Sequence, residues 1–287
     1  MNNAIFRQIS EKFSLFLQES SIERVIGGDI NECFKANSAS KKSYFIKLNI
    51  NPELLELEAR NLNLFNKSHL ITPKVVGYGV LEGLGVLVLE YLTLTAMGDE
   101  SALGQQLAQL HKSQSKRYGL DYNNYIGRTR QLNSWCDRWA EFWWSRRLLP
   151  QISLAMKAGY ALGGEVEQLK ASSDRLLQGH NPPPSLLHGD LWAGNKSYLA
   201  NGQPVLFDPA SYYGDRETDI AFSLMFGGFG HDFYQSYNDT WSLPEGWQKR
   251  ESLYNLYHFL NHLNLFGDQY LSSVQSMVKT ISLSELT

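Results

Sequence analysis

Residues 185–199 read SLLHGDLWAGNKSYL, and residues 205–215 read VLFDPASYYGD. In the first stretch His188, Asp190 and Asn195 fall within eight residues, with Trp192 among them. Gly189 and Gly194 make it a poor helix. In the second, Asp208 follows a short apolar run thirteen residues past Asn195. Gly, Asp and Asn are also ordinary turn residues, because they tolerate tight backbone angles and bond their own backbone. Taken alone, each position reads as a turn. Whether they form one site for a charged substrate depends on what the rest of the chain puts beside them.

The chain has 287 residues, of which 43% are hydrophobic, enough for a large core or two unequal lobes. A net charge of −3 gives it no electrostatic hold on nucleic acid. Its two cysteines, Cys33 and Cys136, follow no metal spacing and suit a reducing, cytoplasmic setting. No apolar run approaches the ~18 residues of a membrane span, so no membrane partner is expected. The first residues, MNNAIFRQISEKFSLFLQ, carry charges through their apolar positions and read as an amphipathic helix rather than a signal peptide.

Helical spacing of Ile5, Ile9, Phe13, Phe16 and Leu17 predicts a helix over 3–18. IERVIGG (22–28), NECFKAN (31–37) and SYFIKL (43–48) read as strands, and 52–66 returns to helical spacing. PKVVGYGVL (73–81) and GVLVLEYL (85–92) are two further strands. Beyond Tyr91 the pattern is mainly helical, at 101–113, 134–159, 164–178, 217–226 and 247–266. The run Pro182–Pro184 closes the third of these. The expected architecture is α+β: a β-rich lobe over 1–91 with a five-stranded antiparallel sheet, and a larger α-helical lobe over 92–287.

On the third strand Lys47 shares a face with Ser43 and Phe45. In the following helix Leu54, Leu55, Leu62 and Phe65 form an apolar stripe, and Glu58 is its only charge. A carboxylate there needs a cation unless it reaches water at the stripe's edge, and Lys47 is the natural partner. A strand lysine braced by a helix glutamate is how kinases hold nucleotide phosphates. Upstream, VIGGDINECF (25–34) has glycines that either close a plain hairpin or bring N–H groups to phosphate oxygens. It is not a Walker A loop, since no G-K-[ST] follows.

Against this background His188, Asp190 and Asn195 match the H-x-D-x-x-x-x-N spacing of a kinase catalytic loop. Asp190 would accept the proton of an attacking hydroxyl. The Asn195 amide oxygen and the Asp208 carboxylate would be hard ligands for Mg²⁺. His188 reads as loop support rather than as the base. In SYYGDRETDIAFSLMF (211–226), Asp219 starts an apolar helix, where it would cap the helix or brace the loop by accepting backbone N–H groups. Asp215, Arg216 and Glu217 read either as a solvated loop or as a rim that contacts a cationic or polyhydroxyl substrate.

LLHGDLWAGN (186–195) with FDPASYYGDRETDIA (207–221) resembles the fructosamine kinase, or ketosamine-3-kinase, family. That family is a branch of the protein-kinase-like and aminoglycoside-phosphotransferase-like fold. Trp192, directly after H-G-D-L, separates it from most aminoglycoside and choline kinases. The resemblance extends through GGDIN, FIKLN, LELEARNL, LVLEYL, LGQQLAQLHKS, YGLDYNNYIG, WCDRWAEFW and LYNLYHFLNHLNLFG.

It implies that ATP lies between two lobes, with Glu90, Tyr91 and Leu92 at the adenine and Gly27, Gly28 and Asn31 over the phosphates. Lys47, braced by Glu58, would hold those phosphates. Asp190 would be the base, and Asn195 and Asp208 the Mg²⁺ ligands. His188, Trp192, Asp215, Glu217 and Asp219 would support the loop or the substrate. The implied reaction is phosphorylation of the O3 hydroxyl of ribulosamine, erythrulosamine or fructosamine adducts of amines or protein lysines. Its product is unstable, so the amine is deglycated. The alternative is a small-molecule hydroxyl kinase of aminoglycoside or choline type. A monomer or weak dimer is expected.

Overall fold

A computed structural model describes residues 4–25 and 30–283. The chain divides into two compact units, Met1–Asp99 with Lys196–Pro209, and Glu100–Asn195 with Ala210–Thr287. These differ from the consecutive halves 1–91 and 92–287 that composition suggests. The reason is a hairpin of Lys196–Leu199 and Pro204–Leu206. It pairs with Leu94–Thr95, and Val205 bridges Ile71. Asp208 therefore belongs to the first unit and Asn195 to the second.

The first unit is built on an antiparallel sheet of β1 (Glu23–Val25), β2 (Glu32–Asn37), β3 (Ser43–Asn49), β4 (Val75–Leu81) and β5 (Leu84–Glu90), in the order β1-β2-β3-β5-β4. Alternation along β3 sends residues to two different cores. Ile46 and Leu48 join Val86 and Val88 under helix α1 (Ala4–Lys12), against Ile5, Phe6 and Ile9. On the opposite face Leu87 and Leu89 pack against Leu55, Ala59 and Leu62 of α2 (Pro52–Leu64). The start of α2 is fixed by Pro52 and by Asn51, whose side chain accepts the Glu53 N–H at 3.2 Å.

Helix α1 ends at Lys12 rather than running to 18. Ser14 and Phe16 take positive φ, and Leu17 bridges Ser38 beside the sheet. Pairing with the strand wins over a pattern that stays helical in period. Tertiary hydrogen bonding overrides a local preference in this way because propensity is the weaker term.

The second unit is helical. Helix α3 is Glu100–His111, α4 is Trp139–Trp143, α5 is Leu149–Lys157 and α6 is Val166–Leu176. They are followed by α7 (Glu217–Ser223), α8 (His231–Thr240), α9 (Gln248–Phe266) and α10 (Leu271–Leu283). Leu253, Leu256, Leu260 and Leu263 make α9 the buried centre, and Tyr254 and Tyr257 meet Trp139 and Trp143 edge-on.

The single helix expected over 134–159 starts only at Trp139 and widens into a π turn over Trp144–Leu148. Pro150 has no N–H for the Arg146 carbonyl, and Arg147 Nη1 donates to that carbonyl instead, at 3.0 Å. Before Trp139, Cys136 exchanges backbone hydrogen bonds with Tyr118.

Helices α3 and α8 touch at Gly104. A Cβ there would lie 2.2 Å from the Phe233 carbonyl oxygen and 2.5 Å from Ser236 Oγ. Gly104→Ala is therefore expected to destabilise by roughly 1–3 kcal/mol, because helix backbone rather than a flexible side chain must move. Thermal unfolding should show Tm lowered by several degrees. An unchanged Tm would mean that the two helices have slack at this contact.

Candidate active site

In the first unit β3 and α2 bring Lys47 and Glu58 together, with Nζ to Oε1 at 2.7 Å. The same ammonium reaches Asp208 Oδ1 at 2.5 Å. The three side chains differ in exposure, at 8% for Lys47, 13% for Glu58 and 48% for Asp208. Burial alone would lower the Lys47 pKa, but Asp208 and Glu58 outweigh it and hold it above the ordinary lysine value. One ammonium cannot fully satisfy two carboxylates, and burial decides which is penalised. Burial pushes Glu58 up to about 7, with the pull of Lys47 offset by the nearby Asp208 charge.

Asp208 takes φ +55, in the left-handed region that Asp tolerates better than most residues. The next residue is anchored, since the buried Asn61 of α2 donates to the Pro209 carbonyl at 2.9 Å. Asn31 accepts from Asn49 Nδ2 at 2.7 Å, which ties it to the end of β3. Gly27 and Gly28 lie outside the described residues. Glu90 and Tyr91 spend their N–H groups within the unit, on the carbonyls of Lys74 and Ser43 at 2.9 and 3.1 Å. Leu92 follows directly and is half-buried.

In the second unit His188 begins a loop that closes on itself. Asn195 Nδ2 donates to both the backbone carbonyl and the Oδ2 of Asp190, each at 2.9 Å. These two bonds orient the amide, turning Oδ1 to the opposite side. His188 is fully buried, and its Nδ1 accepts the Asp190 N–H at 3.3 Å. Asp219 accepts the backbone N–H of His188 at 2.7 Å and of Gly189 at 2.9 Å. It does not cap its own helix.

A third partner of Asp219 is His111 Nε2, at 3.1 Å. Burial pushes the His111 pKa down, so the ring is neutral, and an ionised Asp219 requires the proton on Nε2. Nδ1 then accepts from the Tyr237 hydroxyl at 2.8 Å, and that oxygen accepts from Arg216 Nη1 at 3.1 Å.

Trp192 packs over Gly194, where a Cβ would fall 2.2 Å from the indole ring. Its edge meets Phe226, with centroids 6.0 Å apart and planes at 76°. Phe226 is 45% exposed and takes φ +54 ahead of two glycines. Trp192 thus joins the loop to a half-exposed aromatic surface.

Asp215 and Glu217 correct the expectation of a solvated loop or substrate rim, because both are buried, at 1% exposure. Both oxygens of Glu217 accept from Arg250, at 2.7 and 2.8 Å. Asp215 Oδ2 accepts from the Tyr254 hydroxyl at 2.6 Å and lies 2.6 Å from His180 Nε2. His180, Asp215 and Glu217 bring ligand-type atoms within 4.8 Å of one another, but these carboxylates are already partnered by protein groups. Arg216 stacks on Trp241 at 3.9 Å and donates to the carbonyls of Trp241 and Ser242. These charges lock α7 to α8 and α9.

His111, Asn61 and the amide-rich hairpin 124–131 went unread in the sequence. His111 sits on the apolar face of α3, where a lone polar residue was the available signal. Asn61 was a similar signal on α2.

An ammonium held between two carboxylates, and a loop aspartate oriented by an asparagine five residues on, define with the fold a protein-kinase-like phosphotransferase. The sequence pattern of the fructosamine kinase family matches residues 1–284. A "Probable ketoamine kinase" of Vibrio cholerae is 40% identical over 285 residues, covering 97% of this chain and 98% of that one. The chloroplastic protein-ribulosamine 3-kinase of Oryza sativa subsp. japonica is 37% identical over 270 residues, 90% of this chain and 78% of the rice protein. The crystal structure of a candidate fructosamine-3-kinase from Haemophilus somnus matches with a TM-score of 0.87 at 32% identity, covering 96% of each chain. The chain belongs to the fructosamine kinase family. It is a phosphotransferase that acts on a hydroxyl group and uses ATP. Among the described residues no helix is long and apolar enough to cross a membrane.

Proposed function

We propose that the protein transfers the γ-phosphoryl group of ATP to the O3 hydroxyl of a ketosamine, an amine or protein lysine carrying a rearranged sugar. The observation that carries this reading is the shared Lys47 ammonium, held by a largely buried Glu58 and a half-exposed Asp208, in a member of this family. The half-exposed carboxylate is the one able to leave the lysine for another cation. Lys47 then holds phosphate oxygens, with Glu58 keeping it in place.

The O3–H proton passes to Asp190 as oxygen attacks the γ-phosphorus. The bond from that phosphorus to the β–γ bridging oxygen breaks, and ADP leaves. Little covalent work falls to the protein, so orientation and charge carry the rate. The donor set fits Mg²⁺: Asn195 presents an amide oxygen because its nitrogen is committed to Asp190, and Asp208 presents a carboxylate. When bound, Mg²⁺ would neutralise charge on the β- and γ-phosphates. Trp192 and the neighbouring Phe226 face the acceptor. Both cysteines are free, which suits a reducing cytoplasm. The phosphate on O3 labilises the adduct, and the amine is released.

The test is ATP turnover with a ribulose–lysine adduct against fructose– and erythrulose–lysine, aminoglycosides and amino alcohols, with the phosphate located by NMR. Turnover of an adduct with phosphate on O3 is expected. Turnover confined to the aminoglycosides or amino alcohols would overturn the ketosamine assignment.

A further inference from the structure

We infer that Asn124 and Gln131 are positioning residues that hold the segment after Asp208 against the catalytic loop, an inference that rests on the proposed roles of Asp190 and Asp208. The two lie on the short strands Asn124–Ile126 and Thr129–Gln131, which pair as a hairpin. Both are buried, at 0% and 1% exposure. Asn124 Nδ2 donates to the Ser211 carbonyl at 2.8 Å, and Gln131 Nε2 to the Ala210 carbonyl at 3.0 Å. The second Gln131 hydrogen goes to Asn124 Oδ1 at 2.8 Å, which also accepts from Asn133 Nδ2 at 2.8 Å. Tyr257 donates to Gln131 Oε1 at 2.8 Å, and Arg147 Nη2 to Asn133 Oδ1 at 2.8 Å. Each amide is thereby fixed in orientation, since a flip would set oxygen against oxygen.

The other side of the same segment is the catalytic loop. Ala210 N–H donates to the His188 carbonyl at 2.9 Å, and Leu187 N–H to the Tyr212 carbonyl at 3.0 Å. The approach is close enough that a Cβ on Gly189, at φ +82, would lie 2.1 Å from the Ala210 oxygen. Residues 210–212 are thus held between an amide cage and the loop that carries Asp190. Ala210 is joined through Pro209 to Asp208. A slip of one residue would leave two buried carbonyls and two buried amides without partners, a large penalty in a dry site. A purely apolar hairpin could fill the same volume but could not specify this register.

Two replacements test this. Asn124→Asp keeps volume and both acceptor bonds but exchanges the donor to Ser211 for an oxygen. Gln131→Met keeps length and removes the donor to Ala210. Val274→Ala, in α10 at 0% exposure, is the control for general loss of stability. Hydrogen exchange is measured on the protein alone, without metal or substrate. Turnover is then measured with ribulose–lysine across ATP and Mg²⁺ concentrations.

Exchange of the Ala210 amide is expected to rise about tenfold or more in both variants, the scale of one lost buried hydrogen bond, with α10 amides unchanged. A fall in kcat of about tenfold or more and a higher half-saturating Mg²⁺ should accompany it, with KM for the adduct moving less than about threefold. Val274→Ala should lower Tm and leave these readouts at parental values. Parental exchange at Ala210, or a kcat loss no larger than in a Val274→Ala protein of matched Tm, would overturn the inference. If the parent turns over no ketosamine, the proposed function falls, and the exchange measurement still decides whether the amides hold the segment. Should Asn124→Asp not fold, Gln131→Met decides alone.

Discussion

Asp190→Asn should lower kcat by about 10²–10⁴, or roughly 3–5 kcal/mol of barrier, while ATP affinity stays near parental. The side chain is nearly isosteric, and an Asn oxygen can still accept from Asn195 Nδ2, the bond that measures 2.9 Å in the parent. The loop backbone is held independently by Asp219 through His188 and Gly189. The replacement therefore removes a proton acceptor and little of the geometry. Steady-state kinetics with an accepted ketosamine, together with nucleotide binding by calorimetry, separates these effects. A kcat within threefold of the parent would take Asp190 out of the role of base. Parallel loss of ATP binding would instead point to a loop that has collapsed.

The pairing of Lys47 with Glu58 was legible because a single charge on an apolar stripe has few ways to be satisfied, and the preceding strand offered a cation. The five strands were legible for a related reason: period-2 alternation with short turns leaves few registers that bury both faces. Asp215 and Glu217 were misread because local sequence does not encode their burial. Their partners Tyr254 and Arg250 come from α9, more than thirty positions later. A cluster of charges looks solvated until a distant helix supplies cations and hydroxyls. The end of α1 at Lys12 had the same cause, since Ser38, just past β2, competes for Leu17. The amide hairpin was hidden differently. Asn124 and Gln131 are polar residues in short strands, and nothing nearby indicates that their partners are backbone carbonyls about eighty residues on. Where function depends on a contact between segments remote in sequence, spacing motifs locate the reacting groups and miss the groups that hold them.

Asp208→Ala should produce the other large loss, several kcal/mol and so about 10²–10³ in kcat, with a steep rise in the Mg²⁺ needed for half activity. The effect should differ in kind from that at Asp190. Asp208 is the half-exposed carboxylate of the lysine's two partners, so its removal leaves the buried Lys47–Glu58 pair in place and costs the fold little electrostatically. Ala is strained at φ +55, where Asp is tolerated. Asp208→Asn is therefore measured in parallel: it suits that backbone, keeps an oxygen ligand and lacks the charge. If charge at this position serves the metal, both variants should be impaired, and the Asn variant should recover part of its rate at high Mg²⁺. If only backbone geometry mattered, the Asn variant would match the parent at every Mg²⁺ concentration. Parental activity of the Ala variant at saturating Mg²⁺ would exclude Asp208 as a ligand and leave it a structural partner of Lys47.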